Sequence, residues 1–146
     1  MLHLITHFTD KFFNFLAEDP VRPSIPHLDR IGDNRDIFVF RGEDETVRAI
    51  TCVSYRSEIP SREGDLFTEC TNPSIAVFYT IWSYKPGAGR QLIFDSVKHI
   101  KESNPNIERF VTLSPKTEMA RRFHLKNGAT IFKENDETVN YEYISL

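Results

Sequence analysis

The sequence predicts a mixed α/β fold in three layers, a mostly antiparallel central sheet joined to a splayed parallel β-α-β unit. Three observations carry that prediction. Two β-branched and aromatic runs, D-I-F-V-F-R at 36–41 and V-R-A-I-T-C-V-S-Y at 47–55, flank the polar turn G-E-D-E and read as a hairpin. A longer run, residues 74–83, ends in the glycine turn Y-K-P-G-A-G-R, and Q-L-I then opens an amphipathic helix. Beyond that helix, short apolar strands alternate with one more helical segment. Residues 1–146 read as a single domain, because the length is near the commonest domain size.

Taken in order, residues 2–5 form a short strand. Thr9 is placed to cap a helix through D-K-F-F-N-F-L-A-E-D, with Phe12, Phe15 and Leu16 on one face and Phe8 stapling the entry. Pro20 and Pro23 stop that helix, and Ile25, Leu28 and Ile31 allow a second short one closed by Gly32. After the hairpin, residues 56–72 form a long polar loop placed to flank a substrate entrance, as long loops in small domains tend to be functional. Residues 90–103 are helical, burying Ile93, Val97 and Ile100, and Asn104-Pro105 ends the run. A strand at 109–113 follows, and Ser114-Pro115 fits a cap with proline at the first helical position. The next helix turns Met119, Ala120 and Phe123 inward and stops at Asn127-Gly128. Strands at 130–132 and 139–144 close the chain. The last, expected at a sheet edge, offers a second copy a pairing partner and so a homodimer.

Composition narrows the function. Hydrophobic residues make up 40% and Phe occurs 12 times, enough for a proper core. A net charge of −3 gives no basic footprint, so a nucleic-acid partner is not expected. No apolar run reaches the roughly 18 residues that span a bilayer, so no membrane partner is expected either. The start M-L-H-L-I-T-H lacks the basic flank of an export signal, and Cys52 and Cys70 make no disulfide framework. A cytoplasmic protein with reduced thiols is the expectation.

The glycine turn carries the chemistry. A strand feeding Gly87-Ala88-Gly89 into a helix N-terminus presents orphan N–H groups and the positive end of the helix dipole. Glycines there can take φ > 0 and let a phosphate approach the backbone. Two nucleotide motifs are excluded. A Walker loop needs Gly-Lys-Ser/Thr, and here Arg90 and Gln91 follow Gly89; a dinucleotide fingerprint needs a third glycine where Leu92 stands.

This order and two motifs resemble the GNAT superfamily of acetyl-CoA-dependent N-acyltransferases. P-G-A-G-R-Q-L-I is similar to the family's pyrophosphate loop, and T-E-M-A-R-R-F-H-L-K-N-G-A at 117–129 to its late helix. There Ala120, Phe123, His124, Lys126 and Gly128 fall on successive motif positions. Tyr84 replaces the usual Arg or Gln, Thr117 the usual Asn, His124 the usual Tyr and Ala129 the final Phe. The resemblance implies acetyl-CoA as co-substrate, with Tyr84, Lys85, Gly87, Ala88, Gly89 and Arg90 about its phosphates. It also implies backbone donors at Ile81 and Trp82 for the thioester oxygen.

It further implies proton donation to the thiolate from the place of the family Tyr, here His124, whose imidazole suits acid or base work. The alternative is a half-buried helix residue packed beside Phe123. Glu69, ahead of the central strand, is the candidate base, with Glu58 and Glu63 in the same loop; each is otherwise a solvated carboxylate. Lys116, Arg121 and Arg122 form a basic face, solvated or facing a CoA phosphate. No Cys-His arrangement supports a covalent route, and no metal is called for. The expected activity is direct acetyl transfer to a primary amine. The alternative is a catalytically silent acyl-CoA-binding or protein-interaction domain.

Overall fold

The hairpin grows into an antiparallel meander of four strands: β1 (Leu2–Ile5), β2 (Arg35–Arg41), β3 (Val47–Arg56) and β4 (Ile75–Ser83). The computed structural model describes all residues, 1–146. After β4, helix α1 (Ala88–Ser103) crosses over, and β5 (Arg109–Thr112) returns parallel to β4. A two-residue β6 (Ser114–Pro115), helix α2 (Glu118–Lys126), β7 (Thr130–Glu134) and β8 (Thr138–Glu142) complete one eight-stranded sheet. This is the mixed α/β, mostly antiparallel architecture with one parallel pair that the sequence predicts.

Two apolar layers cover the sheet. On one face Phe12, Phe13, Leu16, Ile25 and Leu66 pack against Ile37, Val77 and Val111. On the other, Leu92, Ile93, Val97 and Ile100 of α1 pack against Phe38, Ala76, Phe78 and Tyr141. Each such large side chain, fully buried, contributes about 1.5–3 kcal/mol. Thus α1 is held by one stripe, at the spacing read from the sequence, with Asn104 as its C-cap.

Several expectations are corrected. The N-terminal segments are 3-10 turns, at Phe13–Glu18 and His27–Arg30, not α-helices. Thr9 caps nothing; its hydroxyl pairs with His7, while the Asp10 carboxylate accepts the Phe12 N–H. Phe8 is exposed and staples no helix, and Leu28 is exposed while Arg30 is fully buried. Pro20, Pro23 and Pro26 lie outside both segments and confine them to short pieces. Ser114-Pro115 pairs with β8 instead of capping α2; the cap is Thr117, whose hydroxyl accepts the Ala120 N–H at 3.2 Å. Met119 is 82% exposed, so it does not turn inward. The C-terminal strand is interior: Val139 pairs with Ser114 on one side and Glu134 on the other, leaving β7 outermost.

Candidate functional site

The site begins where β4 and β5 part. Their parallel ladder runs only from Ile75↔Arg109 to Phe78↔Thr112, closed by the Leu113 N–H donating to the Phe78 carbonyl at 3.0 Å. Beyond it β4 continues alone on that edge. Against β3 the register jumps from Val53↔Phe78 to Cys52↔Thr80, so Tyr79 is the extra residue of a β-bulge. The bulge swaps the faces. Ile75, Val77 and Tyr79 lie in the N-terminal layer and are followed there by Trp82, while Ala76, Phe78 and then Ile81 face α1.

Alternation along the antiparallel ladder fixes where the amides point. Tyr84 donates to the Arg48 carbonyl across β3, which puts Trp82 on that side as well and turns the Ile81 N–H toward the open edge. The free backbone donor is therefore at Ile81, not Trp82. Trp82 is buried, and its indole donates to the Tyr84 hydroxyl at 3.0 Å, which donates to Glu18 at 2.6 Å.

A cleft of about 320 Å³ fills the splay, with Ile81 and Trp82 on one wall and Ser114, Phe123 and His124 on the other. No Asp, Glu, Lys or Arg lines it. The glycine turn stands at its mouth. Gly87 is the α1 N-cap at φ +79°, a left-handed conformation with no neighbour near its missing Cβ. Gly89 is present for a different reason: a Cβ there would stand 3.0 Å from the Phe123 ring. The expectation of two phosphate-approach glycines thus resolves into one turn glycine and one packing glycine. Ala88 N–H is taken by the Lys85 carbonyl, while the amides of Gly87, Gly89 and Arg90 find no backbone acceptor. Three free donors at the positive end of a 16-residue helix can receive an anion. Lys85 is exposed beside them; Arg90 instead lays its guanidinium over Phe94 at 4.7 Å.

His124 is 3% exposed, stacked on Tyr141, with Nδ1 at 2.7 Å from the Tyr143 hydroxyl. Burial lowers its pKa to about 4 and pushes the Tyr143 phenol up, so both are neutral near pH 7. Tyr143 has no other side-chain partner for its hydroxyl, so it donates to Nδ1. That assigns the imidazole proton to Nε2, which has no protein partner on a residue lining the cleft. His124 is therefore a neutral hydrogen-bond donor, not a ready acid.

Across the splay, Arg22 donates from Nε to the Tyr79 carbonyl at 3.3 Å and from Nη2 to the Leu113 carbonyl at 2.9 Å. Beneath it, Arg30 and Asp19 form a fully buried ion pair at 2.6 Å, and Thr80 donates to Asp19 at 2.9 Å. The long loop is fastened: Asn140 and Thr138 donate to the carbonyls of Pro60 and Ser61, and Glu63 meets Arg22 at 3.4 Å. The loop thus reaches Arg22 at the splay, but none of its residues lines the cleft. Glu69 lies elsewhere, in a separate polar depression with Arg35, Arg56 and Cys70, and does not join His124. Glu58 is exposed, and Arg122 pairs with Glu118 along α2.

Sequence reasoning did not find Tyr143, Arg22, Asp19 or Arg30. A period of two from Val139 through Tyr141 to Tyr143 does place both tyrosines on one face. The other three stand in a proline-rich stretch whose one apolar spacing, Ile25, Leu28 and Ile31, says nothing of them.

No family model matches the sequence, and no curated protein matches it. Solved structures do. An acetyltransferase of the GNAT family from Staphylococcus aureus superposes with TM-score 0.61 at 12% identity, covering 97% of this chain and 98% of its own. The chain has the GNAT fold. A Bacillus subtilis acetyltransferase in complex with CoA gives 0.61 at 13% identity, over 97% of this chain and 93% of that one. Malonyl-CoA decarboxylase from Rhodopseudomonas palustris gives 0.79 at 19% identity, over 99% of this chain and 60% of that one. The chain spans 35% to 60% of the length of the decarboxylases it matches. Within the GNAT fold, the glycine turn and the splay are the two features that shape the cleft.

Proposed function

We propose that this chain is an N-acyltransferase that moves the acetyl group of acetyl-CoA to a primary amine by direct transfer in a ternary complex. The observation that carries the reading is the splay, which sets three free amides at the mouth of a cleft and two donors, Ile81 N–H and His124 Nε2–H, at its walls. A CoA pyrophosphate fits the amides of Gly87, Gly89 and Arg90, with Lys85 beside them. The thioester oxygen fits the Ile81 donor, and the strain of negative charge developing on it is what such donors relieve. The amine nitrogen attacks the thioester carbon, the C–S bond breaks, and the proton that the nitrogen sheds passes to the departing thiolate, beside the His124 Nε2–H donor. Because no carboxylate lines the cleft, the amine enters already neutral. The CoA in the Bacillus subtilis structure supports the ligand class.

Calorimetric titration of CoA and acetyl-CoA, followed by thiol release across a panel of amines, tests this. Binding at least tenfold weaker in Gly87→Glu, with amine-dependent thiol release by the wild type, is expected. A folded wild type that binds neither ligand overturns it.

A second reading is decarboxylation of a malonyl-type CoA thioester. It is favoured by the uncharged cleft, where a carboxylate loses its hydration, and by the higher similarity to malonyl-CoA decarboxylase. The bond to the carboxylate breaks, its electrons pass to the thioester oxygen facing the two donors, and the carbon takes a proton. Loss of carbon dioxide from malonyl-CoA without release of free thiol distinguishes it.

A further inference from the structure

We infer that Arg22 is a positioning residue, a guanidinium wedge that holds β4 and β5 apart at the width the thioester needs. The inference rests on the CoA-thioester reading above and adds to it the part that sets the geometry. In a continuing parallel pair, the amides and carbonyls after Phe78 and Leu113 would find one another. Here the Tyr79 and Leu113 carbonyls, one on each strand at the point of divergence, both accept from the same guanidinium, at 3.3 and 2.9 Å. The planar fork of arginine meets both at once; an ammonium, with its single centre, cannot reproduce that spacing.

The wedge is itself fixed from behind. Arg22 donates its backbone N–H to Asp19 at 3.0 Å and offers its carbonyl to Arg30 at 2.8 Å, so its position follows the buried Asp19–Arg30 pair. Thr80, the residue after the bulge, bonds the same Asp19. One network thus sets both the strand bulge that aims Ile81 and the gap opposite it. Its outer side meets Glu63 at 3.4 Å, a half-exposed carboxylate that trims the charge without closing the cleft. Pro20 and Val21, just before the wedge, line the cleft, so Arg22 acts through backbone geometry and not by touching the acyl group.

The test compares wild type, Arg22→Lys, Arg22→Gln and Arg22→Ala by CoA calorimetry, turnover and amide hydrogen exchange. CoA affinity within threefold of wild type is expected in all four, since the phosphates meet the glycine turn. Turnover is expected to fall at least 30-fold in Arg22→Gln and in Arg22→Lys with KM little changed. Added guanidinium, but not ammonium, is expected to restore part of it in Arg22→Ala. Exchange is expected to quicken only at 79–83 and 112–114. Wild-type turnover in Arg22→Gln, or exchange quickened evenly across the sheet, overturns the wedge. If the wild type binds CoA but turns over nothing, the transfer reading fails, and the exchange pattern alone decides the wedge.

Discussion

Two polar assemblies are buried on opposite faces of the sheet, and they differ in what they leave unsatisfied. On the N-terminal face Asp19 accepts from Arg30, Thr80 and the amides of Val21 and Arg22, so the carboxylate is saturated. Arg30 in turn reaches Asp19, Cys52 and two carbonyls, leaving only Nε without a partner. On the helical face the His124–Tyr143 pair is neutral, and one ring nitrogen is kept back for the cleft. Saturated charge holds a shape, because any change strands the partner in low dielectric. An unsaturated neutral donor that faces an open cleft holds chemistry in reserve, since its nitrogen stays free for a ligand.

The largest effect that would break this contrast is on stability. Arg30→Met leaves Asp19 buried without its cation and is expected to cost about 3–5 kcal/mol in denaturant unfolding. A loss under 1 kcal/mol would mean that the pair is not what holds the N-terminal face. His124 has the opposite signature. Its folded pKa of about 4 lies below the ordinary 6.5, so the unfolded chain binds the extra proton as pH falls. Stability from the neutral ring is full above about pH 6.5 and is lost, by roughly 3 kcal/mol, on descending toward pH 4. Replacing the ring by His124→Phe should flatten the wild-type stability profile across that window, and an unchanged slope would assign it to other groups.

On catalysis, His124→Ala is expected to lower turnover about 100-fold with CoA affinity kept, the size seen when an oxyanion donor is removed. Equal loss of CoA affinity would make the residue structural. Tyr143→Phe sharpens the same point at smaller scale. It should cost about 1 kcal/mol of stability and release the tautomer, read directly from the imidazole nitrogen shifts. The two glycines give the finest test. Gly87→Ala should cost about 1–2 kcal/mol through its left-handed backbone, whereas Gly89→Ala should act through Phe123. Double substitution of Gly89→Ala with Phe123→Leu should then recover stability that Phe123→Leu cannot recover beside Gly87→Ala.

Local signals made much of this legible. The hairpin runs, the glycine turn and the stripe of Ile93, Val97 and Ile100 are patterns of near neighbours, and the structure has them where the periodicities put them. His124 was legible as a residue of interest, but its state was not. The partner that fixes its tautomer lies 19 residues later, just past the end of β8. The Tyr79 bulge left no trace in a run of uniformly strand-prone residues, and so the choice between Ile81 and Trp82 stayed open. Arg22 and Arg30 sit in a proline-rich stretch whose apolar spacing does not mark them, and burial of an arginine is set by a carboxylate that the fold brings to it. Glu69 looked close in sequence to the central strand, yet the loop carries it to another surface.

The extra residue at Tyr79 means that β4 is read in two frames. Before it, odd positions belong to the N-terminal layer; after it, even ones do. Losing that one residue would leave a regular strand, with Thr80, Ile81 and Trp82 opposite the same β3 partners and on the same faces. Losing any later residue of β4 would instead turn every position beyond it to the other face. Among descendants of this sequence, a lost residue within β4 should therefore fall at the bulge and other gains and losses in the loops at either end, and an alignment that slides that gap along the strand would mistranslate the cleft.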